Sequence, residues 1–335
     1  FGFYTLLSRV LGYLRDILIA IFLGTSIYAD AFFVAFRLPN TFRRLFAEGT
    51  FNAAFIPSYA EEKLKGENEG KKFADDVFNL LLYALIILII VVEIFTPFVV
   101  YLIAPGFYED SEKFSLAIEF TRITFPFLLF VSLSSMLSGI LNTNNRFAAA
   151  AAAPIVLNVI LILSLLFSFY FKLNIAKSLS VGVTFAGILQ LLLLIIFTRK
   201  FYFPSLSLFF KFGKSIKNFF KKLLPSIFSS GITQINILIG TIIASFQSGA
   251  VSYLYYADRI YQINLAIAGI AVGTVVLPNL SKSIKTNDQN SVNLIQNKSL
   301  ELSLALSLPA AFGLLIASED IVNSLFGYGS FDESD

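Results

Sequence analysis

The sequence has no histidine, no cysteine and no tryptophan, and a single methionine. Without histidine and cysteine there is no Ser-His-Asp triad, no histidine or thiolate metal site, no thiol nucleophile, no disulfide and no iron–sulfur cluster. Charge is scarce as well. Asp, Glu, Lys and Arg make up 14% of the 335 residues, against about 25% in soluble domains. The remainder is strongly apolar, 56% hydrophobic with a mean hydropathy of +0.77. A water-soluble domain needs a polar skin that this composition lacks, so the chain reads as an all-α polytopic membrane protein. With no tryptophan, any interfacial aromatic belt falls to the 14 tyrosines and 38 phenylalanines. The phenylalanine excess, beside many Asn, Lys and Ile, is also what an AT-rich genome produces.

Apolar runs predict nine transmembrane helices near 5–24, 29–58, 77–103, 114–141, 150–171, 177–198, 224–246, 250–279 and 299–317. Pro39 should interrupt the second. Loops after even-numbered helices hold fifteen basic residues, and loops after odd-numbered ones hold three, Lys113, Lys172 and Lys177. That asymmetry places the even loops and the N-terminus in the cytoplasm. The first apolar segment carries Arg9, Arg15 and Asp16 and is no signal-peptide core. A start at Phe1 and a stop at Asp335 just after an apolar span read as a piece that lacks a few N-terminal residues and a C-terminal part.

Three regions follow: an N-lobe over 1–200 (helices one to six), a cytoplasmic amphipathic linker helix over 201–223, and a partial C-lobe over 224–335. In the linker, Phe209, Phe212, Ile216, Phe219, Phe220 and Leu223 share one side and Lys211, Lys214, Lys217 and Lys221 the other. Such a helix should lie flat on an anionic leaflet. An internal repeat is visible too: Tyr28-Ala29-Asp30 leads to Ile56-Pro57-Ser58, and Tyr256-Ala257-Asp258 leads to Leu277-Pro278-Asn279. The offset spans six helices, so the repeat is parallel: two six-helix lobes about a pseudo-two-fold along the membrane normal, facing each other across a cleft.

Seven basic residues lie in spans, and all seven are arginine: Arg9, Arg15, Arg37, Arg43, Arg44, Arg122 and Arg259. A charge at mid-membrane depth costs about 2.5–3.5 kcal/mol on insertion scales. A planar, permanently ionised fork that matches phosphate oxygens is what an anion-binding cavity calls for. Arg9 and Asp16 share a helical face, Asp30, Arg37 and Arg44 repeat at seven, and Asp258 precedes Arg259. Asp16, Asp30 and Asp258 should temper the positive field. The alternative is that each arginine pairs with a nearby acid or reaches back to the interface. Gly269 and Gly273 form a GxxxG that reads as close packing or as a hinge, and Pro39 as a second hinge. Glu93 stands alone in helix three. Gly213-Lys214-Ser215 looks like the end of a P-loop, but Leu208 stands where its first glycine belongs. No nucleotide motor, metal cluster, cofactor motif or nucleic-acid site is readable. A coupling cation, Na⁺ or H⁺, is not readable either.

The run Ser8-Arg9-Val10-Leu11-Gly12-Tyr13-Leu14-Arg15-Asp16 resembles the opening helix of the MurJ (MviN) lipid II flippases. Ala29-Asp30-Ala31-Phe32-Phe33-Val34-Ala35-Phe36-Arg37-Leu38-Pro39-Asn40 and Arg43-Arg44-Leu45-Phe46-Ala47-Glu48-Gly49-Thr50-Phe51 continue the likeness. So do Ala104-Pro105-Gly106-Phe107, Leu141-Asn142-Thr143 and Tyr255-Tyr256-Ala257-Asp258-Arg259. The resemblance implies a bacterial inner-membrane member of the multidrug/oligosaccharidyl-lipid/polysaccharide exporter superfamily with fourteen helices, nine of them here. It implies transport and no enzymatic chemistry. The implied substrate is undecaprenyl-diphosphate-linked MurNAc(pentapeptide)-GlcNAc, moved from inner to outer leaflet among membrane lipids, with cell-wall synthesis machinery as further partners. It implies that Arg9, Arg15, Arg43 and Arg259 are required in the central cavity, with Asp30 also involved. Two rivals stay open: an ion-coupled multidrug exporter, which the excess of Arg over Asp disfavours, and a non-transport scaffold for cell-wall enzymes.

Overall fold

The computed structural model describes residues 2–47, 50–207, 213–265, 271–286, 288–332 and 335. Every regular element among them is a helix. The chain divides into two compact units, 1–252 and 253–335. The first holds α1 (Gly2–Leu23), α2 (Ile27–Ala47), α3 (Thr50–Lys65), α4 (Glu67–Ile94), α5 (Thr96–Ile103), a 3-10 turn (Pro105–Glu109), α6 (Ser111–Thr124), α7 (Phe127–Thr143), α8 (Phe147–Tyr170), α9 (Ile175–Thr198) and α10 (Lys214–Ala244). It closes on the start of α11 (Ala250–Asn264). The second unit holds the rest of α11, α12 (Ala271–Lys285), α13 (Gln289–Ile316) and α14 (Ser318–Phe326).

Among the described residues, five helical stretches are long and apolar enough to cross a membrane: 67–94, 111–143, 147–170, 175–198 and 289–316. Helices α1 and α2 have 22 and 21 residues, but one carries Arg9, Arg15 and Asp16 and the other Asp30, Arg37, Arg43 and Arg44. Neither is among those five stretches, and both hold charges within their length.

Helix α2 is the axis of the first unit. Ala29 to Phe36 are buried on every side, with α6, α7 and α9 packed around them. Pro39 does not interrupt it: the helix continues from Ile27 to Ala47. Proline removes the N–H that would bond the carbonyl four residues back, here that of Ala35. The buried Thr124 hydroxyl donates to that carbonyl at 3.0 Å. A second case follows at Pro97, whose missing N–H leaves the Glu93 carbonyl. The Thr96 hydroxyl donates to it at 2.9 Å and to Val92 at 2.8 Å. In a bilayer no water is at hand to do this, so hydroxyls from the protein do it instead. Thr124→Val should leave the Ala35 carbonyl without a donor and cost about 1–3 kcal/mol, with Thr124→Ser near wild type. Unfolding in detergent checks this, and equal midpoints for Val and Thr would refute it.

The segment 61–76, which falls between the second and third expected spans, is helical on either side of Gly66. Gly66, at φ +157°, joins α3 to α4 there. The amphipathic stretch also differs from expectation. It is the opening of α10, continuous with the next apolar helix, and Phe209 and Phe212 lie outside the described residues. Its apolar side, Ile216, Phe219 and Leu223, is buried in the protein core with Phe51, Phe55, Tyr59 and Phe73. A face consumed by Phe55 and Phe73 is not available to a leaflet. Lys214, Lys217 and Lys221 stay exposed. Just before it, Asp75 and Asn79, one turn apart on α4, hold the irregular run 202–207. Asp75 accepts from the Tyr202 hydroxyl at 2.8 Å and from Ser205 N at 3.0 Å. Asn79 donates to Ser205 O at 2.8 Å and accepts from Ser207 N at 3.0 Å. Burial first, and then the Asp75 carboxylate, push the Tyr202 phenol up, so it remains a donor.

Phenylalanine fills the core: Phe32, Phe33, Phe51, Phe55, Phe107, Phe120, Phe125 and Phe127 are all essentially buried. Exposed Tyr101, Tyr108, Tyr170 and Phe171 stand at the ends of α5 and α8, where an interfacial belt would run. In the second unit Tyr256, Phe326 and Phe331 pack ring against ring.

Candidate functional site

Helix α1 shows two sides. Phe3, Leu6, Val10 and Leu14 form an exposed apolar stripe, and Ile19, Ala20 and Leu23 are buried. Arg9 is exposed, yet it lies about 100° around the helix from that stripe, on the side that carries Asp16. It has no ion pair or hydrogen bond among the described residues.

Arg15 is placed differently. Its Nε and Nη2 donate to Asp16 Oδ1 at 2.9 and 2.6 Å, and Nη1 donates to Asn158 Oδ1 at 2.9 Å. Asn158, on α8, also donates to the Ser8 carbonyl at 2.8 Å. Arg15 is 7% exposed and Asp16 2%. This is a neutralised, buried polar knot that fixes α1 against α8. The sequence expectation that Arg15 faces a cavity as an open cation meets a guanidinium already engaged on three of its atoms. Asp16 serves Arg15, its neighbour in sequence. Asn158, which sequence analysis did not single out, completes the knot. A lone Asn in an apolar run is the signal it left.

Asp30 is also not beside an arginine. It is fully buried, and Oδ2 meets Lys113 Nζ at 2.5 Å. The same carboxylate accepts from Gly249 N at 3.0 Å, Ser252 N at 2.9 Å and the Ser252 hydroxyl at 2.6 Å. It therefore caps the start of α11, whose first N–H groups have no intrahelical partner. Lys113, counted from sequence as a loop charge, is 4% exposed and sits 4.3 Å from the centre of the Phe107 ring. The neighbouring Gly106 takes the Ser245 hydroxyl on its N–H at 3.0 Å and packs so tightly on Ser245 and Phe246 that no side chain would fit there. The ends of four helices, α2, α6, α10 and α11, and the 3-10 turn gather around a single carboxylate–ammonium pair.

Arg43 is half-buried and donates to Asn40 Oδ1 at 3.0 Å. It lies thirteen residues from Asp30, about 20 Å along α2, so Asp30 cannot temper it. Arg37 and Arg44 are half-buried and Arg122 is exposed. In the second unit, Arg259 is half-buried. Its Nη2 donates to Tyr255 Oη at 2.9 Å, its Nη1 to Gln262 Oε1 at 3.5 Å, and its Cζ lies 4.6 Å from the Tyr255 ring centre. Asp258, beside it, is half-buried without an ion pair among the described residues. Gly273 lies in α12, and Gly269 lies outside the described residues.

The structure thus joins Arg15 with Asp16 and keeps Asp30 for Lys113. It leaves Arg9 exposed and without an ion pair among the described residues, and it sets Arg259 against Tyr255 and Gln262. No cluster of three or more metal-ligating residues occurs among the described residues.

Comparison with known proteins identifies the family. The family model described as "Lipid II flippase MurJ" matches residues 19–335. A probable lipid II flippase MurJ from Rhizobium tropici is 44% identical over 99% of this chain and 63% of its own length. One from Rickettsia prowazekii (strain Madrid E) is 42% identical over 100% of this chain and 66% of its own. The chain therefore spans less than two thirds of the length of these relatives. A solved structure titled "Lipid II flippase MurJ, inward closed conformation" superposes with a TM-score of 0.85 at 29% identity, covering 99% of this chain and 68% of that one. An inward-facing multidrug resistance MATE transporter shares the fold alone, with a TM-score of 0.71 at 13% identity over 97% of this chain and 73% of that one. The chain is a multi-pass protein of the bacterial inner membrane, and it belongs to the lipid II flippase MurJ family.

Proposed function

We propose that the full-length protein moves a lipid-linked peptidoglycan precursor, undecaprenyl-diphosphate-MurNAc(pentapeptide)-GlcNAc, from the inner to the outer leaflet. Arg9 and Arg259, helped by Arg43, receive the diphosphate. The polyprenyl tail stays in lipid, and two pseudo-symmetric lobes alternate access. Arg15 acts one step back, as the buried cation that fixes the α1 backbone carrying Arg9. The N-terminus lies in the cytoplasm, and the burial of Lys113 in an ion pair sharpens the loop asymmetry behind that orientation. Glu93 and a Na⁺ or H⁺ coupling step have no assigned part.

The observation that carries this reading is Arg9: an exposed guanidinium within an apolar helix, turned away from that helix's apolar exposed stripe and without an acidic partner. Such a group is retained in a membrane segment where it meets water and an anion. The membrane potential drives the charge in the proposed direction, by about 2.3 kcal/mol per charge per 100 mV. Membership in a transport family speaks against a catalytic role, and so does the absence of a motif for bond-making chemistry.

Depleting the protein in its host should empty the outer leaflet of externally accessible precursor while the inner-leaflet pool accumulates. Restoring the wild-type gene should reverse both. Unchanged outer-leaflet precursor after depletion would sink the proposal in favour of a scaffolding role.

A further inference from the structure

Tyr255 and Arg259 stand four residues apart on α11, so their side chains share one face. Arg259 Nη2 donates to the phenol oxygen at 2.9 Å, and the guanidinium carbon lies 4.6 Å from the ring centre. Gln262, three residues further on, accepts from Nη1 at 3.5 Å. Each terminal nitrogen of the fork thus has an acceptor on its own helix, one on each side in sequence. Tyr255 itself is 7% exposed, so its ring is fixed by packing. A rigid ring lends that rigidity to the cation stacked on it.

We propose that Tyr255 is a positioning residue for anion recognition: it sets the plane of the Arg259 guanidinium so that the fork meets two phosphoryl groups together. This deepens the function proposed above and rests on Arg259 meeting the diphosphate. A lysine or a loosely held arginine acts as a point charge and gains little from a second phosphate. A fork held in one plane gains from both, because bidentate geometry is already formed before the ligand arrives. Tyr255 would thereby set preference for a diphosphate over a monophosphate.

The test uses the full-length protein in detergent, with farnesyl diphosphate and farnesyl monophosphate as probes, by isothermal titration. Tyr255→Phe keeps the ring and its packing and removes only the phenol oxygen. Tyr255→Leu removes both contacts. Diphosphate affinity should fall about threefold for Phe and about tenfold for Leu, with monophosphate affinity changing less, so that selectivity narrows. In an Arg259→Gln background neither change at Tyr255 should matter further. Tyr255 variants that bind like wild type while Arg259→Gln binds poorly would overturn this inference and leave the proposed function standing. Equal losses in both backgrounds would make Tyr255 a packing residue and also overturn it. Wild-type diphosphate binding by Arg259→Gln would remove Arg259 from the proposed function, and this inference with it.

Discussion

Asp30→Ala is expected to destabilise the first unit strongly, by about 3–5 kcal/mol. It strands Lys113 Nζ, which is 4% exposed and otherwise faces the Phe107 ring. It also strips the acceptor from Gly249 N, Ser252 N and the Ser252 hydroxyl. Lys113→Met is expected to cost less, because the carboxylate keeps three donors. The double change Asp30→Asn with Lys113→Met should be milder than the two single effects added, since no uncompensated charge is left buried. Reversible unfolding in detergent measures all of them. A loss below about 1 kcal/mol for Asp30→Ala would show that the pair carries no structural weight.

Much of this was legible in the sequence, and the misses share a cause. Helix existence followed from apolar length, so α8 and α9 match expectation within three residues at either end. The conspicuous charges were equally visible. Their partners were not, because a partner such as Lys113 or Asn158 lies 83 or 143 positions away. Pro39 was read by its local rule, and the rule was met from another helix by Thr124. The face of Ile216, Phe219 and Leu223 has the period of a surface-lying helix. Period alone does not say whether lipid or Phe55 and Phe73 will cover it. Heptad spacing to Arg37 groups Asp30 with the arginines, whereas position along the axis separates it from Arg43 by about 20 Å.

The second large effect concerns function and separates the arginines from one another. Arg9→Ala and Arg259→Ala should each weaken diphosphate-lipid binding about 10- to 100-fold, the worth of one charge-assisted contact. Together they should abolish transport while the protein still folds, because Arg9 is exposed and Arg259 half-buried, so neither loss empties a fully buried site. Arg15→Ala should behave otherwise. It removes the cation paired with Asp16, 2% exposed, and should lower stability by about 3–5 kcal/mol. Arg15→Met with Asp16→Asn should recover much of that stability. Equal folding losses for Arg9→Ala and Arg15→Ala would contradict the division of labour between an exposed and a buried guanidinium.

The most direct measurement is translocation by full-length protein reconstituted in vesicles that carry a fluorescent undecaprenyl-diphosphate-linked disaccharide, with outer-leaflet label read by a membrane-impermeant quencher. Wild-type protein should equilibrate or export the label, and the well-folded Arg9→Ala/Arg259→Ala double variant should leave it where it started. Undiminished translocation by that variant would contradict a cationic route through the membrane.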